Sequence, residues 1–141
     1  MTFTVRISAW NEIGAAARSV REAVFIVEQK VPADMEWDNK DSDCVQALAT
    51  DEAGNAIGTG RLLADGRIGR LAVVTGSRGK GVGRAILKLL IAEARSRGIA
   101  EAVLSAQTGA REFYERNGFT AVGGEYLEAG IPHVTMKLRL A

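Results

Sequence analysis

Three glycines at alternate positions, Gly79, Gly81 and Gly83, stand between a strand-like run and a helical one. Arg67 to Val74 ends apolar and β-branched, whereas apolar residues from Ala85 to Arg97 return at helical spacing. Glycine admits backbone conformations closed to other residues and has no Cβ to obstruct a ligand. The first amides of the helix are therefore left pointing outward and unpaired. With the positive end of the helix dipole behind them and Arg78, Lys80 and Arg84 close by in sequence, residues 77–84 predict a cradle for an anion of the pyrophosphate kind.

Two common nucleotide loops do not fit. A Walker A loop requires Gly-Lys followed by Ser or Thr, and no lysine here has that context. The dinucleotide fingerprint GxGxxG fails because its third glycine would fall on Arg84 or on Ile86. A length of 141 residues is that of a single domain, 1–141, able to bury a core without disulfides or metal. A formal charge of +1 and scattered arginines argue against nucleic acid as a partner. The lone cysteine, Cys44, reads as a packing residue, and the absence of a signal or membrane-spanning pattern predicts a cytoplasmic protein.

Along the chain, Phe3 to Ile7 alternates like a half-buried strand, and Asn11 to Gln29 carries Val20, Ala23, Val24 and Val27 on one helical face, with Gly14 a candidate break. Pro32 ends that helix, and residues 33–43 form an acidic loop around Trp37. It reads equally as a solvated connection or as a rim attracting cations. Strands are expected at Cys44–Thr50, Ala56–Ala64 and from Arg67, followed by the glycine loop and a helix over 83–97. Glu101–Ala106 should be a strand parallel to the one before the loop. Thr108 is placed as the N-cap of a helix reaching Asn117, and strands at Thr120–Leu127 and His133–Leu140 join around Gly130-Ile131-Pro132.

The run Arg78-x-x-Gly81-x-Gly83 resembles the acetyl-CoA signature of the GNAT superfamily, and Phe113-Tyr114-Glu115-Arg116-Asn117-Gly118-Phe119 resembles its second conserved segment. The order β-α-β-β-β-α-β-α-β-β is similar to the mixed α/β sheet fold of that family along nearly the whole chain. Val24 to Gln29, with Gly130 to Val134 and Met136, look most like its ElaA-like group.

The resemblance implies an N-acetyltransferase with acetyl-CoA as cosubstrate, no metal, and a small-molecule or peptide amine as acceptor. It implies direct attack in a ternary complex; membrane is not expected as a partner, and a homodimer is left open. By the same resemblance Leu71, Ala72 and Val73 hold the pantetheine arm, with an amide of Ala72 or Val73 on the thioester carbonyl. Arg78, Gly79, Lys80, Gly81, Val82, Gly83 and Arg84 hold the diphosphate. Tyr114 takes the place of the acid that protonates the leaving thiolate. Glu28 and His133 are the candidate bases for the arriving ammonium and, with Trp37, the candidate acceptor contacts. The alternative is a non-catalytic acyl-CoA sensor or interaction module on the same fold.

Overall fold

The computed structural model describes residues 2–141. Strand β1 (Phe3–Ser8) leads into helix α1 (Trp10–Arg21) and a wider π-helical segment over Glu22–Glu28. A short helix α2 (Ala33–Glu36) precedes the meander β2 (Val45–Asp51), β3 (Ala56–Leu62) and β4 (Ile68–Val73). Then come α3 (Val82–Ser96), β5 (Glu101–Gln107), α4 (Arg111–Arg116) and the hairpin β6 (Thr120–Glu128) and β7 (Ile131–Arg139).

Helix α1 runs through Gly14 without a break. A Cβ there would stand 3.1 Å from the Trp10 ring, so this glycine makes room for an indole. The expected helix over 11–29 changes character in its last third, where the Gln29 amide reaches back five residues to the Val24 carbonyl. Thr108 caps nothing: residues 108–110 form a 3₁₀ turn and α4 begins after it. The last hairpin turns tightly at Ala129 and Gly130, both at positive φ, and Pro132 lies inside β7. Strand β5 stops at Gln107, opposite His133, so at Pro132 the strand pairs only with β6 and the missing N–H is tolerated.

The strands form two sheets, ordered β1-β2-β3-β4 and β5-β7-β6. Helix α3 presents Val82, Ile86, Leu87, Leu90, Ile91 and Ala94 on one face and buries them in a single core that joins both sheets through Leu62, Leu104 and Met136. On the opposite side of the first sheet, Val20 and Val24 close over Ala72. The parallel pairing expected between β4 and β5 exists only at its base, as one bridge between Arg67 and Val103. Beyond it the strands part. Two features hold them apart on the β4 side: the register against β3 slips between Thr59 and Arg61, and Arg70 takes φ 51°, so that β4 bulges.

Candidate active site

Two clefts open where β4 and β5 separate, and they share Leu71, Ala72, Val73, Arg78, Ala110 and Tyr114 as a common wall. The first, about 630 Å³, runs from that wall along Gly79, Gly81, Val82, Gly83 and Arg84 to Phe113 and Asn117. Gly79 and Gly81 hold φ of 75° and 85°, and a Cβ on either would meet nothing within 4 Å. These glycines are required by backbone conformation, and the space above them is open to a ligand. Gly81 is the N-cap of α3, with no side chain capping the helix, so the amides that open α3 face this cleft. Lys80, expected in the same site, is not on its wall.

In β4 the Val74 amide donates to Ile57 of β3 at 3.0 Å. Alternation then turns the Val73 amide and carbonyl away from β3, into the gap. The Val73 carbonyl accepts from Arg78 Nε at 2.8 Å, which folds the guanidinium back along the strand end. By the same alternation the Ala72 amide faces β3, leaving Val73 as the donor of the two.

Tyr114 stands where the clefts meet. Its ring is held edge-on by Phe113 (5.1 Å between centroids) and by Phe119 (5.9 Å). The end of α4 fixes its backbone, because the Phe119 amide returns to the Tyr114 carbonyl at 3.0 Å while Asn117 Nδ2 donates to the Phe113 carbonyl at 2.7 Å. The residue keeps partial exposure along the cleft wall, yet apolar neighbours enclose the phenol, and burial pushes its pKa up to about 12.

The second cleft, about 460 Å³, is bounded by Phe25 and Gln29 from the π-helical segment, Glu36 and Asp38, the bulged Arg70, and Ser105, Glu128 and His133 from the second sheet. Both volumes are in the range that encloses a small ligand. Alternation in β7 turns His133 away from Val134 and Met136, yet only 6% of it is exposed, beneath a stacked Tyr126 at 6.2 Å.

The charges of residues 33–43 do not form a free acidic rim. Arg21, itself 1% exposed, binds Glu36 Oε2 at 2.7 Å and Asp41 Oδ1 at 2.6 Å. Arg61 binds Asp38 at 2.6 Å and Asp41 at 3.1 Å, and Arg70 closes the ring on Glu36 at 3.1 Å and Asp38 at 3.3 Å. Three carboxylates face three guanidinium groups, and only Asp34 and Asp43 among the acids of this segment stay exposed and outside the ring. Hydrogen bonding from Arg61 holds the Asp38 carboxyl far below the usual range. For Asp41, burial pushes upward, but the contacts with Arg21 and Arg61 outweigh it and the net shift is downward.

Trp37 lines neither cleft. Its indole is the platform for the Arg18 and Arg21 guanidinium groups, at 4.3 and 4.8 Å. Glu28 is likewise off both walls: Arg78 Nη1 and Nη2 grip its two oxygens at 2.7 and 2.6 Å, and this pairing lowers its pKa. A carboxylate so held is a poor proton acceptor. Cys44 is buried, donates to the Lys40 carbonyl at 3.1 Å, and has its thiol pKa raised by burial, which leaves it packed and inert.

A family model for an acetyltransferase (GNAT) domain matches residues 13–140. The chain belongs to the GNAT family. Among GNAT relatives, YjcF of Bacillus subtilis (strain 168), described as an uncharacterized N-acetyltransferase, is 37% identical over 121 residues, 83% of this chain and 86% of the relative. A solved structure from Lactobacillus plantarum, assigned as an N-acetyltransferase, is 34% identical with a TM-score of 0.89, covering 100% of both chains. Escherichia coli ElaA is 26% identical with a TM-score of 0.85, covering 98% of this chain and 100% of its own. The protein is thus an N-acetyltransferase of the GNAT fold. Among the described residues no helix is long and apolar enough to cross a membrane.

Sequence reasoning missed Arg70, because nothing in a non-glycine residue announces positive φ. It also missed Glu128, because the strand was expected to end at Leu127. Arg21 and Arg61 pair with acids 15 to 23 residues away, a separation that spacing rules do not reach.

Proposed function

We propose that this GNAT enzyme transfers an acetyl group from acetyl-CoA to a primary amine of a small molecule or peptide, by direct attack in a ternary complex. The observation that carries the reading is the wall shared by the two clefts, which would bring a donor and an acceptor together at Val73 and Tyr114. The diphosphate of coenzyme A fits the amides of residues 79–84, and its pantetheine arm fits the gap left where β5 parts from β4. There the Val73 amide polarises the thioester carbonyl, a preorganised donor of the kind worth several kcal/mol to a transition state.

The attacking nitrogen enters from the second cleft. As its bond to carbon forms and the carbon–sulfur bond breaks, Tyr114 gives its proton to the thiolate and regains one from the nitrogen. Burial keeps the phenol protonated until the thiolate appears, and the proton it gains from the nitrogen in the same step offsets the lower driving force of a weak acid.

The test is donor binding. Gly81→Asp would set a carboxylate in the diphosphate position and a side chain at φ 85°. Calorimetry should show acetyl-CoA affinity falling by at least about tenfold for the folded variant. Wild-type affinity in a folded Gly81→Asp protein would overturn the assignment of this cleft to the donor.

A further inference from the structure

With the acidic segment neutralised, the charges around the second cleft can be sorted by partner. Glu36, Asp38 and Arg70 belong to the closed ring of three acids and three arginines, and Arg78 is matched by Glu28. Glu128 is the exception. Among the described residues its carboxylate, 53% exposed, meets no lysine or arginine; its neighbours are the Ser105 hydroxyl at 3.3 Å and His133 Nε2 at 3.5 Å. The cleft therefore carries one unmatched negative charge, at the end of β6.

The tautomer of the neutral His133 ring follows from its other nitrogen. Nδ1 lies 2.6 Å from the Ile131 carbonyl, which can only accept, so Nδ1 carries the proton. In the neutral ring Nε2 is then a lone pair facing the Glu128 carboxylate. In that neutral form two acceptors are thus opposed across 3.5 Å with no proton between them, and a proton placed on Nε2 turns the contact into an ion pair. A cation with N–H groups can supply that proton. Stacking on Tyr126 and burial hold the ring in place, while Ser105, whose Oγ is 2.5 Å from the Tyr126 hydroxyl, steadies the carboxylate.

We infer that Glu128 and His133 together form the ammonium site of the acceptor cleft, Glu128 anchoring the charge and His133 Nε2 taking the proton. This rests on the amine-acetylation reading above. In the step, one N–H bond of the ammonium breaks and Nε2–H forms, leaving the electron pair on nitrogen. That pair attacks the thioester carbon, the carbon–sulfur bond breaks, and the thiolate takes the Tyr114 proton. Tyr114 recovers its proton from the second N–H of the adduct. The proton on His133 leaves across the 3.5 Å gap to exposed Glu128 and then to water, so one proton is released for each amide formed. The substrate class is accordingly an alkylamine that is protonated in water, in place of an aromatic amine or a neutral amide.

The experiment measures amine-dependent coenzyme A release with a panel of straight-chain alkyl mono- and diamines, for wild type, Glu128→Gln and His133→Asn. Asparagine keeps a donor for the Ile131 carbonyl and removes Nε2. Glu128→Gln should raise KM for the best alkylamine by about tenfold or more with a smaller change in kcat. His133→Asn should lower kcat by about a hundredfold. Both should leave the acetyl-CoA affinity from calorimetry within about twofold, because coenzyme A occupies the other cleft, and that equality also shows that the variants are folded. Unchanged amine kinetics in Glu128→Gln overturn the inference while leaving acetyl transfer intact. A wild type that binds acetyl-CoA yet acetylates no alkylamine overturns it through the acceptor, and a wild type that does not bind acetyl-CoA overturns the donor reading instead.

Discussion

At the scale of single residues, the environment separates groups that look alike in sequence. Glu28 and Glu128 are both exposed glutamates, but among the described residues the first is gripped at both oxygens by Arg78 and the second meets only a serine and a histidine. Tyr114 and Tyr126 differ in the same way: one phenol is enclosed with its pKa at about 12, the other is 37% exposed beside Ser105. A phenol at about 12 stays protonated across the usual assay range, so kcat should show no decline from Tyr114 ionising between about pH 7 and pH 10, where a free tyrosine would begin to titrate. Tyr114→Phe keeps the ring contacts with Phe113 and Phe119 and removes the proton. Its kcat should fall about a hundredfold with acetyl-CoA affinity unchanged, read by steady-state kinetics and calorimetry. An unchanged kcat, with the chemical step shown to limit turnover, would remove the acid role.

At the scale of elements, the segment over residues 33–43 is a strap tied to the sheet from within. Arg21 of α1, Arg61 of β3 and Arg70 of the β4 bulge each reach it, and Gln46 Nε2 adds a bond to the Asp41 carbonyl at 3.1 Å. Removing one arginine leaves three carboxylates facing two guanidinium groups. Arg21→Met keeps the stem's packing but leaves Glu36 to Arg70 and Asp41 to Arg61, with one buried negative charge in excess, and should lower stability by about 3 kcal/mol in denaturant unfolding. The pH dependence has a definite sign. Asp38 and Asp41 have folded pKa values below the unfolded value of about 3.9. The stability they confer is complete above that value and is lost as the pH falls through the folded values. Thermal midpoints should therefore be insensitive to these two groups down to about pH 5 and should drop below about pH 4, less steeply in Asp38→Asn.

This strap marks the limit of what the sequence could disclose. Glycine loop, α3 and the Tyr114 segment were legible because each is specified locally, by backbone freedom at Gly81, by the spacing of Val82 to Ala94, and by the turn at Asn117-Gly118. The strap was legible only as surplus acid, and its charges have the opposite meaning once three arginines from distant elements are folded onto them. The π-helical turns over Glu22–Glu28 gave no sign, since the apolar spacing of Val20, Val24 and Val27 suits an ordinary helix. Glu128 is of the same kind, because its importance lies in what does not reach it.

At the scale of the whole molecule, the proposed function depends on an interrupted sheet. One core built around α3 binds the two sheets together at their base, and above the Arg67–Val103 bridge they diverge, so the clefts are open spaces bounded by a well-packed interior. On the proposed function, a site of this shape would hold both substrates at once, with no acetylated protein group to carry the acyl chain between them. Cys44, the one thiol in the chain, is buried and lines neither cleft. Initial-velocity kinetics, with acetyl-CoA and an alkylamine both varied, test this most directly. Simultaneous occupancy predicts double-reciprocal lines that intersect, with no coenzyme A released before amine is added. Parallel lines, with a burst of coenzyme A equal to the enzyme concentration in the absence of amine, would establish an acetyl-enzyme and contradict it.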